Sequence, residues 1–368
     1  LYQKYTGGEI SAIQAYIIIV SIMIGTGILN LARVVSEVSK QDAWISVLIN
    51  GIFISLIIGL ITYTVGRFPE LNFLQYCSYL LSKPIGYLIS FAYIIYSIAF
   101  TATIISFLTE MASTWLLPNT PIFIISFIIV ITGVYMIQHG LTVLARYNEV
   151  IVFLLIPLAL LIFVGMPEVR LINLRPVGAT GITAILKGVV PSFYAFAGYE
   201  VIMIYYPYIS NKSKHITKYS VLSILLVTIF YTATVISQIA LYGHEEIQHV
   251  LYPSINYLRA VDFPFIERME LFFTIFWTLT VLGTVGLQYF ATSIVLQSVF
   301  KNKTTRFFTY LLAPLVFGLS LYPQNTPQVA DIGSIIGNLN FFFGILLPII
   351  LFIMCIIREG RRKNEQKI

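Results

Sequence analysis

Ile24-Gly25-Thr26-Gly27-Ile28-Leu29 lies in the middle of a charge-free run from Ile10 to Ala32. Phe193-Tyr194-Ala195-Phe196-Ala197-Gly198-Tyr199-Glu200 lies inside a later run of the same apolar kind. Each run has the length and composition of a membrane helix, and each is loosened at its centre by glycine. A helix broken at membrane depth frees backbone N–H and C=O groups, which is tolerated only where they line a cavity or meet a ligand. Two breaks at corresponding positions of two halves point to a transporter-type site near the bilayer midplane.

The composition agrees. The 368 residues are 58% hydrophobic and only 10% charged, with a mean hydropathy of +0.88. A soluble core has no room for so much apolar surface, so the chain reads as a polytopic membrane protein. The first apolar run is too long for the core of a secretory signal peptide. Cys77 and Cys355 are far apart and read as core thiols. There is no metal-ligand spacing, phosphate loop, haem box or nucleophile–base pair. The sequence therefore predicts no cofactor, no metal, no nucleic-acid partner and no enzymatic activity.

Charge-free runs predict ten helices: Ile10–Ala32, Ala43–Gly66, Pro84–Thr109, Met111–Gln138, Val150–Pro167, Gly188–Asn211 across Glu200, Tyr219–Gly243, Leu271–Phe300, Phe307–Ala330 and Ile332–Ile357. The turn Pro118-Asn119-Thr120-Pro121 separates the third from the fourth. With the N-terminus inside, the inner segments carry fifteen Lys and Arg and the outer ones six. The positive-inside rule then places both termini in the cytoplasm. Ten spans divide into two halves of five, 10–167 and 182–357. An odd number per half makes the second an inverted repeat of the first, with the broken helices first and sixth. The long outer loop, 243–267, is expected to act as a lid, with a short surface helix over 247–260. Residues 358–368 form a basic tail.

Two readings stand for Gly25-Thr26-Gly27. Its amides, at the N-terminus of the outer half-helix, suit a carboxylate; alternatively the glycines serve close helix packing. Glu200 is the stronger signal, because an acid at bilayer depth costs about 3 kcal/mol unless partners or water offset it. It is a candidate to hold the inner half-helix, to bind a proton or to face a cation. Carbonyls around Ala197 and Gly198 suit an ammonium group. The apolar and aromatic neighbours Phe196, Tyr199 and Tyr96 favour a small neutral amino acid. Tyr96 and Ser97 in the third span, and Trp277 and Thr284 in the eighth, are further candidates to line the cavity.

The motifs IGTGIL and FYAFAGYE resemble the first- and sixth-span signatures of amino-acid/polyamine/organocation permeases. More narrowly, the chain resembles the B subunits of spore germinant receptors, the GerAB-type spore permease family. The resemblance is carried by Gly8-Glu9-Ile10-Ser11, by Asp42-Ala43-Trp44, by the segment Gly140–Glu149, by Tyr252-Pro253-Ser254, and by Phe265-Ile266-Glu267-Arg268-Met269-Glu270 with Trp277 beyond. It implies an all-α, leucine-transporter-type fold and a nutrient-sensing subunit in the spore inner membrane. The implied partners are a membrane-bound A subunit and a lipoprotein C subunit. It also implies the ligand-backbone role for Gly25, Thr26, Gly27, Ala197 and Gly198. A proton- or sodium-coupled amino-acid transporter and a ligand-gated ion channel remain alternatives on the same fold.

Overall fold

The computed structural model describes residues 10–164, 169–210, 215–260, 268–301, 303–323 and 325–365. The expectations for Gly8 and Glu9, for Pro167, for Asn211, for the 261–267 part of the lid with Phe265–Glu267, and for the tail end 366–368 lie outside the described residues. Among the described residues the chain is helical almost throughout, with one isolated bridge between Ile10 and Ile209.

The helices of the first half are α1 (Ala12–Met23), α2 (Leu31–Ser39), α3 (Ala43–Gly66), α4 (Phe73–Leu80), α5 (Lys83–Met111), α6 (Ile122–Ile137) and α7 (Leu141–Val164). Those of the second are α8 (Ile182–Ser192), α9 (Ile202–Tyr205), α10 (His215–Glu246), α11 (Pro253–Ala260), α12 (Met269–Val299), α13 (Thr305–Ser320), α14 (Thr326–Asn340) and α15 (Leu347–Glu365). Among the described residues, five helical segments are long and apolar enough to cross a membrane: Leu31–Gly66, Lys83–Leu116, His215–His249, Met269–Val299 and Pro327–Arg358. Helices α6 and α7 pass the same test only as a pair, bent by 118°. The protein is thus an integral membrane protein. The shorter apolar helices include α1 and α8, the leading halves of the two broken spans.

Local chemistry sets the ends. Ser11 and Gln14 form a reciprocal capping box that starts α1, and Asn72 and Gln75 form another that starts α4. Helix α4 was not predicted, because its eight residues are too few to stand out as a span. The fourth span begins at Ile122 rather than Met111, since α5 runs into a π-turn over Ala112–Leu116 before the Pro118–Pro121 turn. The fifth begins at Leu141 rather than Val150, with Arg146 and Glu149 inside the helix. The sixth begins at Ile182, with Lys187 inside it and exposed. The ninth stops at Ser320 rather than Ala330. Asn325 accepts the Gln328 N–H at 3.0 Å and Pro327 sits in the first turn, so a new helix starts there.

The two broken segments lie side by side in opposite directions. At one end Ile10 donates to the Tyr208 carbonyl at 3.0 Å and accepts from the Ser210 amide at 2.8 Å. At the other, Ser46 donates to the Ile185 carbonyl at 2.8 Å, and Ser39 and Ser46 share a hydrogen bond at 2.7 Å. The start of the first segment therefore meets the end of the second, and its end meets the start.

The helix of the 243–267 loop is α11, but it does not lie on the surface. Five of its eight residues, Pro253, Ser254, Ile255, Tyr257 and Leu258, are buried. The Ser254 hydroxyl donates to the Ile28 carbonyl at 2.7 Å and accepts from Gln238 at 3.0 Å. The loop is drawn in because a carbonyl freed in the first segment needs a donor.

Candidate functional site

Helix α1 ends at Met23, and a 3-10 turn over Thr26–Leu29 intervenes before α2. The chain is therefore unwound between Ile24 and Gly25, as the glycine motif predicts. Three groups from other helices take up carbonyls in and just before this break. The Trp277 indole N–H donates to the Gly25 carbonyl at 3.0 Å. The Thr284 hydroxyl lies 3.3 Å from the Ser21 carbonyl, and the Tyr231 hydroxyl 2.5 Å from that of Met23. Trp277 and Thr284, both buried on α12, thus belong to the first break.

The second break runs from Phe193 to Gly198 between α8 and a 3-10 turn over Tyr199–Val201. Gly198 has φ 109°, a left-handed conformation that a side chain would strain. This turns its N–H back onto Glu200, two residues ahead. Glu200 is fully buried, and each of its oxygens accepts a hydrogen bond. Oε2 accepts the Gly198 N–H at 2.8 Å and Oε1 accepts the Tyr96 hydroxyl at 2.8 Å. Asn340, the last residue of α14, donates to the Tyr96 oxygen at 3.0 Å. A buried carboxylate left without donors would be expensive, and here the chain Asn340–Tyr96–Glu200–Gly198 supplies them. Glu200 thereby ties the second break to Tyr96 of α5.

The breaks touch. A Cβ placed on Gly27 would overlap the backbone of Ala195, and one on Gly198 would stand 3.0 Å from the Ile22 side chain. Thr26 and Tyr194 share a hydrogen bond at 2.9 Å. Among the described residues, the Thr26 and Gly27 amides find no backbone acceptor, and the Phe196 and Ala197 carbonyls no donor. Donors freed in one break and acceptors freed in the other are therefore collected at one place in the fold.

Other predicted site residues join the breaks and their neighbours to surrounding helices. Tyr199 donates to the Gly344 carbonyl at 2.7 Å and so anchors the second break to the segment between α14 and α15. Ser97 bonds Thr292 at 2.6 Å and accepts from Gln288 at 2.9 Å, placing it in the α5–α12 seam. The Phe196 ring stands edge-on to Tyr231, with centroids 5.1 Å apart. Tyr96 stacks on Phe343 at 4.8 Å while its hydroxyl serves Glu200.

Sequence reasoning missed Tyr231, Asn340 and Asn148. The last sits on α7 with its Oδ1 2.5 Å from the Ser21 hydroxyl, fastening α1 just before its break. A buried Asn in an apolar helix is the signal that would have found Asn340 and Asn148. Tyr231 is one of 24 tyrosines and carries no such mark.

Solved structures share the architecture. The chain superposes on MhsT, solved in complex with L-phenylalanine, with a TM-score of 0.64 at 13% identity, over 95% of this chain and 98% of that one. It superposes on Mhp1, a nucleobase-cation-symport-1 family transporter solved with bromovinylhydantoin bound, with a TM-score of 0.65 at 13% identity, over 92% and 79% of the two chains. The fold is all-α and of the leucine-transporter type. Among curated sequences, spore germination protein YndE of Bacillus subtilis (strain 168) is 31% identical over 97% of this chain and 98% of its own. Spore germination protein GerLB of Bacillus cereus is 25% identical over 98% of each, and spore germination protein A2 of Bacillus subtilis 26% over 97% and 98%. The spore permease family model, described as spore germination protein, matches residues 9–329. With the match spanning both breaks and nearly all of the fold, the chain belongs to the spore permease family of spore germination proteins.

Proposed function

We propose that this protein is the nutrient-sensing B subunit of a spore germinant receptor, and that it binds a small neutral amino acid between the two helix breaks. The observation that carries this reading is the pairing of unsatisfied groups. The amides of Thr26 and Gly27, which find no backbone acceptor among the described residues, suit a carboxylate, and the carbonyls of Phe196 and Ala197, which find no backbone donor there, suit an ammonium. Gly25, Trp277, Thr284 and Gly198 keep the breaks open, and Glu200 with Tyr96 holds the second in shape. Tyr199 and Ser97 support these groups from behind. No residue takes a catalytic role in this reading.

Membership of a spore germination family supports a receptor role, with a membrane-bound A subunit and a lipoprotein C subunit as partners and the spore inner membrane as the location. The antiparallel contact of the two broken segments supports counting α1 with α2, and α8 with α9, as the first and sixth of ten crossings in two inverted halves. An even count and the inner Lys/Arg excess support a cytoplasmic side for both termini. Helix α11, bonded to Ile28, is the lid on the outer side. The second reading, a secondary amino-acid transporter, is favoured by the fold shared with MhsT and Mhp1.

Two measurements decide. Spores deleted for the gene should lose a nutrient-specific germination response and regain it on complementation. Purified protein in proteoliposomes should bind the same nutrient without accumulating it. Unimpaired germination of the deletion strain to every nutrient would overturn the receptor reading. Gradient-driven uptake would favour the transporter.

A further inference from the structure

Tyr231 is fully buried in the middle of α10. A phenol has one proton to give. Its oxygen nevertheless lies 2.5 Å from the Met23 carbonyl and 3.1 Å from the Ala195 carbonyl. These acceptors belong to different breaks. In unbroken helices they would bond the amides of Gly27 and Tyr199, four residues on, and the breaks withdraw both donors. Met23 retains the Gly25 amide at 2.7 Å. Among the described residues Tyr231 is the one side chain from outside the two breaks that hydrogen-bonds to both.

Its surroundings fix where the hydroxyl sits. The Phe196 ring stands edge-on to it at 83°. One turn earlier, Thr228 covers Gly51 of α3 so closely that a Cβ on Gly51 would overlap it. Helix α10 is thereby packed against an unbroken helix, and Tyr231 projects from that support onto two segments that lack helical support of their own. We propose that Tyr231 is a positioning residue whose single hydroxyl proton, shared between the Met23 and Ala195 carbonyls, holds the two breaks in register. Separating the breaks takes the hydroxyl away from one of the two carbonyls. If the proposed ammonium binds at the second break, it brings donors of its own and frees the hydroxyl for Met23. That last step rests on the amino-acid reading above; the positioning role does not.

The test uses the full chain in nanodiscs without ligand, read by backbone hydrogen exchange. Tyr231→Phe keeps the ring and removes the hydroxyl. Exchange should accelerate together in 24–30 and 193–201, by about tenfold, with α3 and α13 unchanged. A change in only one segment, no change, or a uniform rise along the chain would overturn the proposal. Phe196→Leu, which retains the hydroxyl but loses the ring that aims it, should speed both segments by about threefold. A rise confined to 193–201 in that variant would likewise contradict it. No amino acid is added, so failure here is distinct from failure of the nutrient reading.

Discussion

Gly27 and Ala195 are in backbone contact across the two breaks: a Cβ on Gly27 would overlap the Ala195 backbone and stand 2.9 Å from its Cβ. Gly25, two residues earlier, is different. Its nearest neighbours for a Cβ are the Ile22 carbonyl at 3.6 Å and Thr284 at 3.7 Å, ordinary contacts. The motif therefore combines a glycine packed against the Ala195 backbone with one that leaves room beside Thr284.

Gly27→Ala should accordingly abolish the germination response, because overpacking against backbone costs about 1–3 kcal/mol and moves the breaks apart. Gly25→Ala should retain most of it, whereas Gly25→Val should not, since its methyls reach Thr284. Dose curves of spores with matched protein abundance measure this. Equal responses from Gly27→Ala and the parent would contradict the contact.

Glu200→Gln should weaken nutrient response and lower thermal stability. Both carboxylate oxygens accept, and an amide turns an N–H towards one of the two donors, at a cost of about 1–3 kcal/mol. Tyr96→Phe should act on the same interaction, so the double variant should lose clearly less than the sum of the two single losses. Thermal unfolding of the four proteins in detergent gives the coupling. Strict additivity would mean that Tyr96 and Glu200 act separately.

Trp277→Phe keeps an aromatic ring but removes the donor from the Gly25 carbonyl. It strands a buried carbonyl, so the expected effect is a loss of about 1 kcal/mol in stability together with a roughly fivefold weaker response. Binding isotherms and melting curves separate the two effects. A fall in melting temperature with unchanged binding would assign Trp277 to packing alone.

Ser254→Ala should loosen α11, the proposed lid. It strands the Ile28 carbonyl and removes the acceptor of Gln238, two buried groups served by one hydroxyl. Hydrogen exchange should rise over 247–260 and in the first break, by about tenfold. Protection as in the parent would show that α11 is held by its apolar contacts instead.

The breaks were legible in the sequence because glycine is conspicuous in a charge-free run, and Glu200 because an acid in such a run needs a reason. Hydrogen-bond partners were less legible. Trp277 and Thr284 bond carbonyls in and just before the first break, Tyr199 ties the second to Gly344, and Ser97 bonds within the α5–α12 seam. Periodicity says that a residue lies on a helix, and the helix crossings alone decide which hydroxyl reaches a freed carbonyl. The same limit hid Tyr231 among its many equivalents. Span ends went wrong where hydropathy stays high across a turn, as at Ala112–Leu116. They went wrong again at Asn325–Pro327, where the cap is polar yet uncharged.

In the proposed function one ligand spans both breaks, its carboxylate on the Thr26–Gly27 side and its ammonium on the Phe196–Ala197 side. A buried charge without a partner costs several kcal/mol, so both ends of the ligand must be present. The most direct measurement is competition binding on the purified protein, comparing a neutral L-amino acid that it binds with its methyl ester and its N-acetyl derivative. The account predicts that each capped form binds at least about tenfold more weakly, a loss of about 1.4 kcal/mol. Equal potency of the capped forms, or a preference for sugars or nucleosides, would contradict it.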